Sequence, residues 1–177
     1  MTVPPPAMGA DHQPDHQSDY RPDESAIPIS PVNWLTLTPD EARNELIDLD
    51  RWVDFLRITY GLPPTILPPY WHRHDELIWE LSALHLHWLN SYAPDAPLSA
   101  PINWHHDFTL ARARLRDWVA LNGTRLDHDR PTRTTTWPGE PTPPATTEVA
   151  ITDRAADFRA FLAEDHAQRL ARTHTWP

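Results

Sequence analysis

Six histidines crowd the middle of the chain, at His72, His74, His85, His87, His105 and His106. Imidazole titrates close to neutrality and is the commonest metal ligand, so the cluster raises a metal centre or a general base. Spacing weakens both. Two ligands share a helix face only at an i,i+3 or i,i+4 offset, whereas His85 and His87 point about 200° apart. His72 with Glu76 has the right offset, but His72 stands before the expected helix start. A site shared between elements can gather His74, His105 or His106, and Asp107, because helix starts converge in a bundle. Those four are the metal candidates, weighed against capping or packing imidazoles. A second pattern, Asp11-His12 with Asp15-His16, sits in polar sequence that reads as a solvated tail.

Other catalytic chemistry finds little support. A nucleophilic Ser or Thr needs a neighbouring base and a strained turn, and no G-x-S-x-G elbow exists. Four glycines in all leave no phosphate-cradling loop. The absence of cysteine excludes disulfides, thiolate zinc sites and thiol nucleophiles together. Asp40-Glu41 and Asp75-Glu76 fall at expected helix starts, where the macrodipole accounts for them. Neither enzymatic activity nor a cofactor is expected.

Arginine is the next candidate, since all 15 basic residues are arginine and none is lysine. Arg112, Arg116, Arg125, Arg130 and Arg133 are the residues that a nucleic-acid interface would use. Arg112 and Arg116 share a helix flank, but Arg114 points elsewhere and Asp107, Asp117, Asp127 and Asp129 intervene. The chain carries a net charge of −10, a poor match to phosphate. Nucleic acid is therefore the less favoured partner.

The elements that must position these residues follow from periodicity. Thr38-Pro39-Asp40-Glu41 reads as a capping box with proline at the first helical position. Ala42, Leu46, Leu49, Val53, Leu56 and Tyr60 then recur at four-three spacing until Gly61, with Ile47, Phe55 and Ile58 on a second stripe. Pro63-Pro64 and Pro68-Pro69 force an extended connector. A second helix carries Leu77, Leu81, Leu84, Trp88 and Tyr92 on one face and Trp79, Ala83 and Leu86 on the other. A third, capped by Asn103 and stopped at Asn122-Gly123, carries Trp104, Phe108, Ala111, Leu115 and Trp118. After a proline- and threonine-rich stretch, with a weak strand signal at Glu148 to Ile151, Thr152-Asp153 opens a last helix bearing Ala155, Phe158, Phe161 and Leu162.

Trp88, Trp104 and Trp118 lie on the main stripes and are expected in the core. Trp79 is divided evenly between core and partner-facing roles, since tryptophan is a favoured interface anchor. The last helix needs a surface to bury its apolar face, on this chain or on another. Trp79, Ala83, Leu86, Phe158, Phe161 and Leu162 are accordingly the partner-binding candidates.

Trp71-His72-Arg73-His74-Asp75-Glu76, the run from Leu81-Ser82-Ala83-Leu84 to Trp88, and Trp104-His105-His106 together follow the pattern W-x-x-H-x-E, L-x-A-L-x-x-x-W, W-H. In this the chain resembles an uncharacterised family of small helical proteins of GC-rich actinobacteria, encoded on plasmids, integrative conjugative elements and phages. Phe158 to Arg169, with Phe161, Asp165 and Arg169, is similar to that family's tail. The likeness covers about residues 50–170, and its motifs are aromatic packing signatures. Relatives carry cysteines that this chain lacks. The resemblance implies an accessory role in a mobile element and no particular activity.

The expected fold is all-α: a three-helix core at about 39–60, 74–92 and 103–121, a proline-rich arm, and a separate C-terminal helix at about 152–171. The organisation is a disordered tail over 1–32, a helical domain over 33–130, a Pro/Thr-rich linker over 131–151 and the C-terminal helix and tail over 152–177. The start lacks a cationic leader with an apolar core, and no apolar run approaches the roughly 20 residues that span a bilayer. A cytoplasmic protein away from membranes is expected. Its function is expected to be that of a non-enzymatic adaptor binding another protein or itself, with a nucleic-acid factor second and a histidine-based metal enzyme third.

Overall fold

The computed structural model describes residues 30–141 and 147–175. The tail up to residue 29, with His12 and His16, lies outside the described residues, as do 142–146 of the linker and the last two positions.

Helix α1 spans Pro39–Tyr60 and begins as its sequence dictates. The Thr38 hydroxyl accepts the Glu41 amide, while the Glu41 carboxylate accepts the Thr38 amide at 2.8 Å. Gly61 ends the helix in the left-handed conformation, at φ 58°. Ala42, Leu46, Leu49, Val53 and Leu56 are buried as a stripe, and Trp52, which lies off that stripe, is buried with them. It stacks on His85 with ring centroids 4.9 Å apart, because α1 has neighbours on two sides.

The connector is more than a spacer. Leu62, Ile66, Leu67, Tyr70 and Trp71 are all buried, and a 3-10 turn over Trp71–Arg73 leads into helix α2, Asp75–Ser91. Helix α3 covers Ala100–Asn122 and starts earlier than predicted, leaving Asn103 exposed inside it rather than capping it. Pro101 explains the shift: in a first helical turn its missing N–H leaves no bond unmade. Gly123 closes α3 at φ 74°, and the Arg130 Nε donates to the Asn122 carbonyl at 3.1 Å.

Short strands β1, His128–Asp129, and β2, Val149–Ala150, pair antiparallel with His128 opposite Ala150. That ladder returns the chain to the body, and helix α4, Arg154–Thr175, follows it. Asp153 caps α4, its carboxylate accepting the Ala156 amide at 3.0 Å. The helices pack in the order α4, α1, α2, α3. The protein is all-α apart from this minute sheet. Among the described helices none is long and apolar enough to cross a membrane.

The packing decides between cis and trans for α4. Phe158 and Leu162 are buried in the same cluster as Leu46, Trp71 and Ile78, and Phe161 packs against it. Ala155, placed on the same apolar face by periodicity, is exposed. Arg154 of α4 pairs with Asp50 of α1, and its Nε donates to the Pro69 carbonyl at 3.1 Å. Trp118 corrects another expectation. It is 40% exposed while Val119 is buried, because the connector around Pro64 lies on the Val119 side of α3. Trp104 is wholly buried, stacked 4.8 Å from Phe108, and Trp88 is half-buried against Phe55.

Candidate functional site

Two places concentrate the chemistry: a buried polar clasp at Tyr70–His74 and a groove beside Trp79. The clasp is built on the 3-10 turn, whose tight winding sends consecutive side chains to different parts of the molecule. The Tyr70 hydroxyl donates to the Leu126 carbonyl at 2.9 Å and lies 3.0 Å from that of Ile151. His72 Nε2 lies 2.9 Å from Asp157 Oδ2, and Arg73 grips both oxygens of the same carboxylate. His74 Nε2 lies 2.8 Å from Asp129 Oδ1, and its Nδ1 lies 2.9 Å from the Thr132 hydroxyl. Four of the five residues from Tyr70 to His74 thus hold the turn after α3, strand β1, the residue that follows β2 and the first turn of α4.

Burial sets the electrostatics. His72 is wholly enclosed, and that desolvation lowers its pKa from 6.5 to about 4 against the opposing pull of Asp157. Burial alone would raise the Asp157 carboxyl, but the hydrogen bonds and charges of Arg73 and His72 outweigh it and hold the group below its ordinary value. Asp129 behaves likewise: burial pushes it up, and the hydrogen bond from His74 with the charge of Arg73 brings it down. His72 Nδ1 is buried without a hydrogen-bond partner.

Asp129, His74 and Thr132 have the connectivity of a carboxylate–imidazole–hydroxyl relay, but the geometry assigns the protons otherwise. The Thr132 hydroxyl has one proton, and Glu76 Oε1 at 2.8 Å can only accept it. The Thr132 oxygen therefore receives the Nδ1–H of His74, while Nε2 faces the Asp129 carboxylate. With the Thr132 proton committed to Glu76, Nδ1 of His74 is not placed to take it, so the hydroxyl is not activated as a nucleophile. The arrangement ties chain segments together.

The metal candidates do not converge. His74 is enclosed with Asp129, His105 Nε2 meets the Tyr60 hydroxyl at 3.0 Å, and Asp107 takes His87 at 3.1 Å and the exposed His106 at 3.2 Å. Among the described residues no three His, Cys, Asp or Glu side chains gather as a metal would require. His72 bonds to Asp157 and not to Glu76, since it stands in the turn before α2.

The second place is a groove of about 350 Å³ between the start of α2 and α4. Trp79, 41% exposed, lines it together with Trp34, Leu46, Ile78 and Phe161. Charges of both signs also line it: Arg73, Asp75, Glu164, Asp165, Arg169 and Arg172. On the same helix Ala83 is exposed and Leu86 is half-buried, so the described residues leave the second stripe of α2 only partly covered. Phe158, Phe161 and Leu162, expected to meet a partner, instead pack within the chain's own core, and only Phe161 borders the groove.

The arginines are dispersed. Arg112 lies over the Phe108 ring, Arg114 pairs with Glu80, Arg130 serves the end of α3, and Arg133 is exposed on the arm. Arg116 and Arg125 alone of the five candidates line a common groove. Sequence reasoning missed Asp129 and Asp157 as partners of the W-x-x-H segment, and Tyr70 as its neighbour in the clasp; only the run of titratable groups at His72–Glu76 signalled that something must satisfy them. Compared with family models, curated proteins and solved structures, the chain matches none.

Proposed function

We propose that this protein is a non-enzymatic helical adaptor, acting by protein–protein contact through the Trp79 face of α2. The observation that carries this reading is Trp79 itself: a tryptophan left 41% exposed beside an apolar-floored groove. Exposing an indole forgoes much of its burial energy, and interfaces use such residues as anchors. Mixed charge around the groove suits a partner segment that seats one apolar side chain beside Trp79 and pairs its own charges at the rim. The exposed Ala83 and half-buried Leu86 extend the face along α2. The resemblance at Trp71–Glu76 adds a setting, an accessory role in a mobile genetic element.

The test is affinity capture from the native host with the full chain, followed by reconstitution of the captured complex from purified components. Trp79→Ala is expected to weaken the reconstituted complex about tenfold or more, the scale of an interface anchor, while Trp118→Ala leaves it unchanged. A monomeric protein that captures nothing, or a complex indifferent to Trp79→Ala, overturns the reading.

A further inference from the structure

Another groove lies where the end of α3 meets the proline connector. It encloses about 880 Å³ and is walled by Pro64, Val119, Ala120 and Leu126, with Arg116 and Arg125 at its sides. That volume lies in the range of small-molecule sites. Among the described residues six arginines pair with acids: Arg51, Arg57, Arg73, Arg114, Arg154 and Arg169. Among the described residues no carboxylate pairs with Arg116 or Arg125. Asp127, which also lines the groove, lies 2.6 Å from His128 Nδ1 instead. The Arg125 backbone is itself fixed, its amide donating to the His128 carbonyl at 3.0 Å. In a chain of net charge −10, two unpaired guanidiniums at one apolar groove make a local exception of sign.

We infer that this groove binds a small amphipathic carboxylate, its acid group held by Arg116 and Arg125 and its aliphatic body laid against Pro64, Val119, Ala120 and Leu126. Guanidinium recognises carboxylate through paired N–H donors. The walls decide the rest of the ligand. Among the described residues no aromatic ring lines the groove, so it offers nucleic-acid bases no stacking platform, whereas aliphatic surface is what an alkyl chain buries. The site is independent of the Trp79 face.

Decanoate is the probe. Titrated into the full chain, it is expected to bind with one-to-one stoichiometry by calorimetry and to shift the amide resonances of residues 116–127. Decanol, with the same chain and no charge, is expected to bind at least about tenfold more weakly, and Arg116→Gln with Arg125→Gln to lower decanoate affinity by a similar factor, the scale of charge-assisted hydrogen bonds. Both arginines are exposed, so the double variant keeps its fold, checked by its thermal melt. Arg43→Gln, remote on α1, is expected to change nothing. The inference is overturned by non-saturating decanoate binding, by affinity indifferent to the double variant, or by an oligonucleotide that outcompetes decanoate at the same amides.

Discussion

His72 Nε2 stands 2.9 Å from Asp157 Oδ2, joining the turn before α2 to the first turn of α4 across 85 residues of sequence. Arg73, next in the chain, closes on the same carboxylate, so one acid answers two consecutive side chains. This three-way contact fixes the start of α4 on the turn before α2, beside the Arg154–Asp50 pair that ties it to α1. The apolar face of α4 supplies the burial, and the clasp supplies the register.

Removing Asp157 tests that division. In Asp157→Ala an enclosed imidazole and a partly covered guanidinium lose their shared partner, and breaking a buried pair from one side costs about 3 kcal/mol or more. Urea unfolding should show the loss. Hydrogen exchange should accelerate first in α4, with α2 and α3 still protected.

The pH dependence follows from His72. Its folded pKa, about 4, lies below the ordinary 6.5 because burial disfavours the cation. Between those values the unfolded chain takes up a proton that the folded chain refuses, so this contribution is whole above pH 6.5 and falls as pH drops toward 4. The slope is up to about 1.4 kcal/mol per pH unit for one group. Asp157 and Asp129, whose folded values are lowered, add stability above the ordinary carboxylate range that is lost as pH falls through it. Denaturation midpoints at pH 7, 5.5 and 4.5 should decline steadily, and His72→Gln should flatten that segment.

Tryptophans separate by burial. Trp104→Ala, at a wholly buried position stacked on Phe108, should cost about 3 to 5 kcal/mol. Trp79→Ala should cost much less, because its ring already meets solvent. Paired thermal melts check both, and a Trp79 loss as large as that of Trp104 would make it a core residue.

Glycines at two helix ends should differ. Gly61→Ala meets open space and pays only for its positive φ, about 1 kcal/mol. Gly123→Ala has the same strain, and its Cβ would also collide with the Arg130 guanidinium that serves the end of α3. The larger loss belongs to Gly123, and Arg130→Ala should recover part of it in a double-mutant cycle.

Much of this molecule was determined by the sequence alone. Thr38, Pro39, Glu41 and Gly61 bound α1 at both ends, and the four-three recurrence from Ala42 to Leu56 named its buried face. These signals are local, carried by residues a turn apart. Asn103 misled because a proline at a first turn competes with a cap, and Trp118 because a stripe's edge depends on what covers it. Nothing local relates His72 to Asp157 or His74 to Asp129. Those pairings exist only once the connector, the β ladder and α4 fold back onto the helices, since a buried polar group takes whichever partner the packing brings within reach. The sequence determined which residues would need a partner, and the tertiary structure decided which one each received.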